Sequence, residues 1–160
     1  MYSIQLKQLS RTIIDILPKD SLLLQMESIK IKQKKLKRLK SGDILYLGKT
    51  LPLFYITQNG KYISSVEIGY LQQQSAIRLT DTPKDQDNIE DIGKKWDILD
   101  IHIAIVPMSI EELSSGKIVT FGFDIYKDIS LIKEGKRVAT VSLVGYGNGY
   151  GLQIVERIKD

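Results

Sequence analysis

Apolar residues fall at alternate positions in "ILDIHIAIV", where Ile101, Ile103 and Ile105 share one face at period two, as in a half-buried strand. An earlier stretch, "LLLQMESIKIK", is β-rich in the same way. Each is followed by the spacing of a single helical turn. Leu36 and Leu39, like Ile110 and Leu113, lie three apart and so share a helix face. Ser109 and Glu112 stand at capping-box spacing, which marks a helix start. Gly42 and Gly116 follow three residues later, where a left-handed C′ position needs no side chain. Strands "DILYL" and "KIVTF" come next. Asn59-Gly60 and Glu134-Gly135 sit between apolar runs as hairpin turns, and the flanking "KYISSVEIGYL" and "KRVATVSLVGY" are β-branched and aromatic. The pattern predicts a mainly β protein with one short helix per copy, and a further helix over residues 3–16.

The recurrence extends beyond the element pattern. "LKRLKSGDILYL" (36–47) aligns with "IEELSSGKIVTF" (110–121) at an offset of 74. "GKYISSVEIGYLQQQSAIRL" (60–79) aligns with "GKRVATVSLVGYGNGYGLQI" (135–154) at an offset of 75. Two blocks in the same order, one inserted residue apart, identify an internal duplication. Two copies are too few for a solenoid and suit a pair of related units packed as a pseudo-dimer. The predicted organisation is an N-terminal extension over 1–21, a first unit over 22–81, a polar, acidic linker over 82–95 and a second unit over 96–160.

Charge divides along the same line. Residues 1–80 carry 13 Lys/Arg and 5 Asp/Glu, whereas residues 81–160 carry 10 and 14. Halves of opposite sign favour mutual docking, or a nucleic-acid-binding first half. The chain has no cysteine, which removes disulfides, thiolate metal sites and a cysteine nucleophile. The N-terminus lacks the long apolar run of a signal peptide, and no stretch reaches the ~18 apolar residues of a membrane span, so a cytoplasmic protein is expected.

Few candidate chemistries survive. "LVGYGNGYGLQI" (143–154) carries glycines at 145, 147, 149 and 151, yet lacks the Lys-Ser/Thr and following helix of a phosphate loop. Asn148-Gly149 is instead a favoured type I′ hairpin pair. His102 is the only histidine, with no cysteine or second histidine to complete a zinc site. The linker acids Asp85, Asp87, Glu90 and Asp91 lack calcium-loop spacing. Trp96 and Tyr55 read as packing residues. The run "KIKQKKLKRLK" holds Lys30, Lys32, Lys34, Lys35, Lys37, Arg38 and Lys40, a phosphate-binding patch or the solvated side of a strand and turn. No aromatic residue interleaves it, so the stacking platform for single-stranded nucleic acid is missing. No catalytic constellation assembles, and neither a cofactor nor a small-molecule substrate is expected.

The repeating unit resembles the SpoA (surface presentation of antigens) domain of the flagellar switch proteins FliN and FliM and of type III secretion sorting-platform proteins. The first copy supplies Leu36, Leu39 and Gly42, then Asn59-Gly60-Lys61, Ile63, Glu67 and "AIRLTD". The second supplies Ile110, Leu113 and Gly116, then Glu134-Gly135-Lys136, Val138 and "GYGLQI". Where the family pattern has a Gly-Glu turn, the glycine is Val66 and Val141 here, and the second glutamate is Ser142. Two such units in one chain resemble the SctQ/SpaO-like secretion subunit more than the flagellar FliN/FliY-like proteins, which are the alternative.

The resemblance implies two units packed as an intertwined β pseudo-dimer within the chain. It implies a non-enzymatic scaffold or adaptor of the cytoplasmic platform (C-ring), at the inner-membrane base of a secretion apparatus. Implied partners are the export-ATPase regulator or stator protein (SctL/FliH-like), other SpoA-domain chains or a separate copy of the second unit, and platform components at the membrane base. Longer members carry an N-terminal domain with no counterpart here, so the chain reads as a fragment or a short relative. The implied partner patch maps to Ile68, Tyr70 and Leu71 in the first copy and to Leu143, Val144 and Tyr146 in the second. Half of these are equally expected in the core, because alternate strand residues face opposite ways.

Overall fold

The computed structural model describes residues 19–80 and 95–158. The helix expected over 3–16 and all but the last residue of the predicted linker lie outside them. The described chain is mainly β. Strand β1 (Leu22–Lys32) leads to helix α1 (Gln33–Arg38), then β2 (Ile44–Gly48), β3 (Phe54–Gln58), β4 (Lys61–Leu71) and β5 (Gln74–Leu79). The second series is β6 (Trp96–Val106), a 3₁₀ turn (Ile110–Glu112), β7 (Ile118–Thr120), β8 (Ile129–Lys133), β9 (Lys136–Tyr146) and β10 (Gly149–Arg157). Strands β6 and β7 begin 74 residues after β1 and β2, and β8, β9 and β10 begin 75 residues after β3, β4 and β5.

The described residues form two compact units, and neither is a single repeat. One contains residues 19–25, 53–80 and 103–125; the other contains 26–52, 95–102 and 126–158. In the first unit, which holds the last four residues of β6, the strand order is β6, β1, β3, β4, β5, β7. The last strand of the first repeat, β5, there pairs with β7 of the second repeat through Ala76–Thr120, Ile77–Val119 and Arg78–Ile118. Ser75 strengthens this join: its carbonyl accepts the Phe121 N–H and its hydroxyl oxygen accepts the Ile125 N–H. Phe54, Ile56, Val66, Ile77, Val119 and Phe121 are among its buried residues.

In the second unit the order is β2, β10, β9, β8, β6, β1. Here β10 pairs with β2 of the first repeat through Gly151–Tyr46, Leu152–Leu45 and Gln153–Ile44. The Arg157 guanidinium donates to the carbonyls of Val138 and Leu36, tying the end of β10 to α1. Leu36, Leu45, Leu99, Ile101, Val141 and Leu152 are buried.

Shifted by the repeat offsets, the β5–β7 and β10–β2 registers coincide. So do the β-bulges between Ile56 and Thr57 and between Leu131 and Ile132. The Gly42 N–H donates to the Ile154 carbonyl at 2.8 Å, and the Gly116 N–H to that of Leu79 at 2.9 Å. A one-residue slip would turn each strand's apolar set outward, so this shared register records one packing solution used twice.

Several local expectations change. In the first copy the helical turn is a six-residue α-helix, but in the second it is only a 3₁₀ turn. Pro107 stands where Gln33 opens α1, and Ser109 takes the cap role. The Glu112 carboxylate accepts from the Ser109 N–H at 3.5 Å and from its hydroxyl at 3.1 Å. Gly42 and Gly116 are left-handed, with φ of 92° and 81°, but they are not helix C′ residues. The caps are already extended at Leu39 and Leu113, so the two glycines turn the chain toward β2 and β7. The face expected to hold Ile101, Ile103 and Ile105 breaks: Ile101 and Ile103 are fully buried, then the phase shifts to Ala104 and Val106, leaving Ile105 half-buried. The two hairpin pairs Asn59-Gly60 and Glu134-Gly135 have positive φ at both residues, the I′ signature.

The turn of the glycine stretch moves by one residue. Its central residues are Gly147 and Asn148, since β10 already begins at Gly149. Gly147 has φ of 60° and Asn148 is not left-handed, which is the II′ arrangement rather than the I′ turn expected of Asn148-Gly149.

Candidate functional site

The six positions of the implied partner patch lie on β4 and β9, and strand alternation divides them. In the second unit Leu143 shares a face with fully buried Val141, whereas Val144 and Tyr146 point the other way. In the first unit Ile68 and Tyr70 follow buried Ser64 and Val66 on one face, and Leu71 lies on the other. Ile68 and Leu143 are half-buried, while Tyr70 is 65% exposed because the strand has outrun the core by that point. The outward-facing members are therefore Leu71 in one unit and Val144 with Tyr146 in the other.

A tyrosine from β2 completes the outer face of the second unit. Gly151 lies between Val144 on β9 and Tyr46 on β2, and Gly149 pairs with Tyr146. The Tyr46 and Tyr146 rings meet edge to face, with centroids 6.2 Å apart. They can meet across β10 because the strand between them carries glycine. A Cβ on Gly149 would lie 2.1 Å from the Gly48 carbonyl oxygen and 2.9 Å from the Tyr46 hydroxyl. A Cβ on Gly151 would lie 2.6 Å from Ile44 Cγ2. The alternate glycines thus serve two ends: Gly147 makes the turn, and Gly149 and Gly151 form a floor that aromatic rings cover. Tyr46 has no motif to betray it, since its place depends on β2 being carried to β10.

The basic run spans the end of β1 and α1, with Ile31, Leu36 and Leu39 buried and its cationic residues exposed. It does have an aromatic neighbour, supplied from 64 residues away in sequence: the Lys32 ammonium lies 5.6 Å from the centroid of the Trp96 ring. Trp96 is 39% exposed, so it is not simply a packing residue. Tyr55 does pack, beside Tyr62, and its hydroxyl accepts from the Gln25 side-chain amide. His102 is half-buried on β6 opposite Ser130. The four linker acids lie outside the described residues.

No protein-family model matches the chain, and no curated protein sequence matches it. Among the described residues no helix is long and apolar enough to cross a membrane.

Proposed function

We propose that this chain is a non-enzymatic scaffold or adaptor made of two SpoA-type units that share strands. Its class would be the subunit of the cytoplasmic sorting platform of a type III secretion system that binds the export-ATPase regulator. The observation that carries this reading is the strand exchange: each repeat's closing strand, β5 or β10, pairs with the second strand of the other repeat at the same register. An intertwined pair is what the SpoA resemblance implies, and a chain folded this way cannot separate its repeats without breaking both the β5–β7 and the β10–β2 pairing. The recruiting surface on this account is the outer face of the second unit, where Val144 and Tyr146 stand beside Tyr46.

Calorimetry with an export-ATPase regulator peptide tests it. Val144→Asp is expected to weaken binding by more than ~1 kcal/mol while the fold is retained, as for a central interface residue. Leu143→Asp should instead damage folding, because its side chain faces the core. Full affinity in a folded Val144→Asp variant would overturn the assignment.

A further inference from the structure

A groove opens along one side of the second unit. It encloses about 440 Å³ and is lined by consecutive residues Ile29 to Lys32 of β1 and by Leu45 to Leu47 of β2, with Lys35 and Trp96 at its margin. Consecutive strand residues point to opposite faces. A groove that touches all of them therefore runs along the strand edges rather than across a face. One of these edges is open: β2 ends the strand order, and its only strand partner among the described residues is β10. A second groove, also about 440 Å³, shares Lys32 and Lys35 and adds Lys34 and Arg38. Its acidic member, Asp43, is engaged by the Lys40 N–H. Among the described residues Lys32, Lys34, Lys35 and Arg38 form no ion pair.

The duplication provides an internal control. At the 74-residue offset, Lys30 and Lys32 become Ala104 and Val106, both buried, and Lys34 and Lys35 become Met108 and Ser109. Lys37 and Arg38 become Glu111 and Glu112, Tyr46 becomes Thr120, and Trp96 corresponds to Leu22. The same frame is built in the first unit with no cation in any of these places: apolar or acidic residues stand there, apart from Ser109 and, opposite Lys40, Ser114. The lysines of the second unit are therefore not a requirement of the fold.

We infer that the groove between β1 and β2 of the second unit binds an acidic peptide segment in extended form, which adds a strand to the β2 edge and sets its carboxylates against Lys32, Lys34, Lys35 and Arg38. An open strand edge supplies backbone hydrogen bonds to an extended chain, and a row of cations that form no ion pair among the described residues selects its side chains. Nucleic acid matches the charge but makes no use of the edge, and the Trp96 face it would stack on is already occupied by Lys32. The inference does not rest on the SpoA reading, which concerns the Val144 face.

The test is fluorescence anisotropy on the full chain with a labelled peptide of about ten residues alternating glutamate and valine. Three changes should each weaken binding at least about tenfold: Lys32→Glu with Lys35→Glu, salt raised from about 50 to 300 mM, and proline at alternate peptide positions, which deletes N–H donors. Lys61→Glu with Lys117→Glu makes the same net charge change in the first unit and should leave binding unaltered; circular dichroism confirms that each variant is folded. Absent binding, or equal loss with the control pair, overturns the site. Indifference to proline overturns strand addition. Tighter binding of an oligothymidine of matched charge overturns the choice of peptide.

Discussion

Gly149 and Gly145 belong to the same alternating series, yet only Gly149 is held by its surroundings. The Gly149 Cβ position lies 2.1 Å from a backbone oxygen, whereas nothing lies within 4 Å of the Gly145 position. Gly149→Ala should cost about 1–3 kcal/mol in urea unfolding through forced backbone movement, and Gly145→Ala should be neutral or slightly stabilising. A similar contrast applies to the buried polar set of the first unit. The Thr57 hydroxyl donates to Gln25 Oε1 at 2.9 Å, and the Gln25 amide donates to the Tyr55 hydroxyl at 3.0 Å. Thr57→Val keeps the shape but strips a buried acceptor of its donor, so a loss of about 1–3 kcal/mol is expected by the same measurement. At this scale the sequence was readable where chemistry is local. Asn59-Gly60 and Glu134-Gly135 identify their own turns. Tyr46 and Trp96 did not identify their roles, because the residues they meet come from distant strands.

The two hairpins that close β4 to β5 and β9 to β10 solve one problem differently. The second uses Gly147 at its single left-handed position. The first places Gln72 and Gln73 at φ of 51° and 68°, a I′ turn without either of its favoured residues. Replacing the pair by Asn-Gly should raise stability by about 1 kcal/mol, read as a shift in the unfolding midpoint. No gain would mean that the glutamines make compensating contacts. Element types were legible because alternation, β-branching and turn residues agree along most strands. The failures have physical causes: β6 changes its buried face at Ile103–Ala104, and a proline leaves the second helical turn as 3₁₀. The one-residue shift of the glycine turn was not legible, since Gly-Asn and Asn-Gly both make good hairpin turns and cross-strand register decides between them.

At the scale of the molecule, the duplication was visible in the chain, but not which repeat each closing strand would join. That choice is made by pairings such as Leu152–Leu45 and Ile77–Val119, between residues whose separation in sequence exceeds a whole hairpin. A split between repeats would leave β5 without β7 and β10 without β2, exposing Ile77, Leu152 and their buried neighbours to water. The central claim is therefore that the repeats are one folding body joined by exchanged strands. Cleavage at a protease site placed within residues 82–94, followed by gel filtration without denaturant, tests it most directly. The two pieces should elute together in a one-to-one complex at the 18.2 kDa position of the intact chain and separate only on unfolding. Two peaks, each a folded monomer of one repeat, would contradict it.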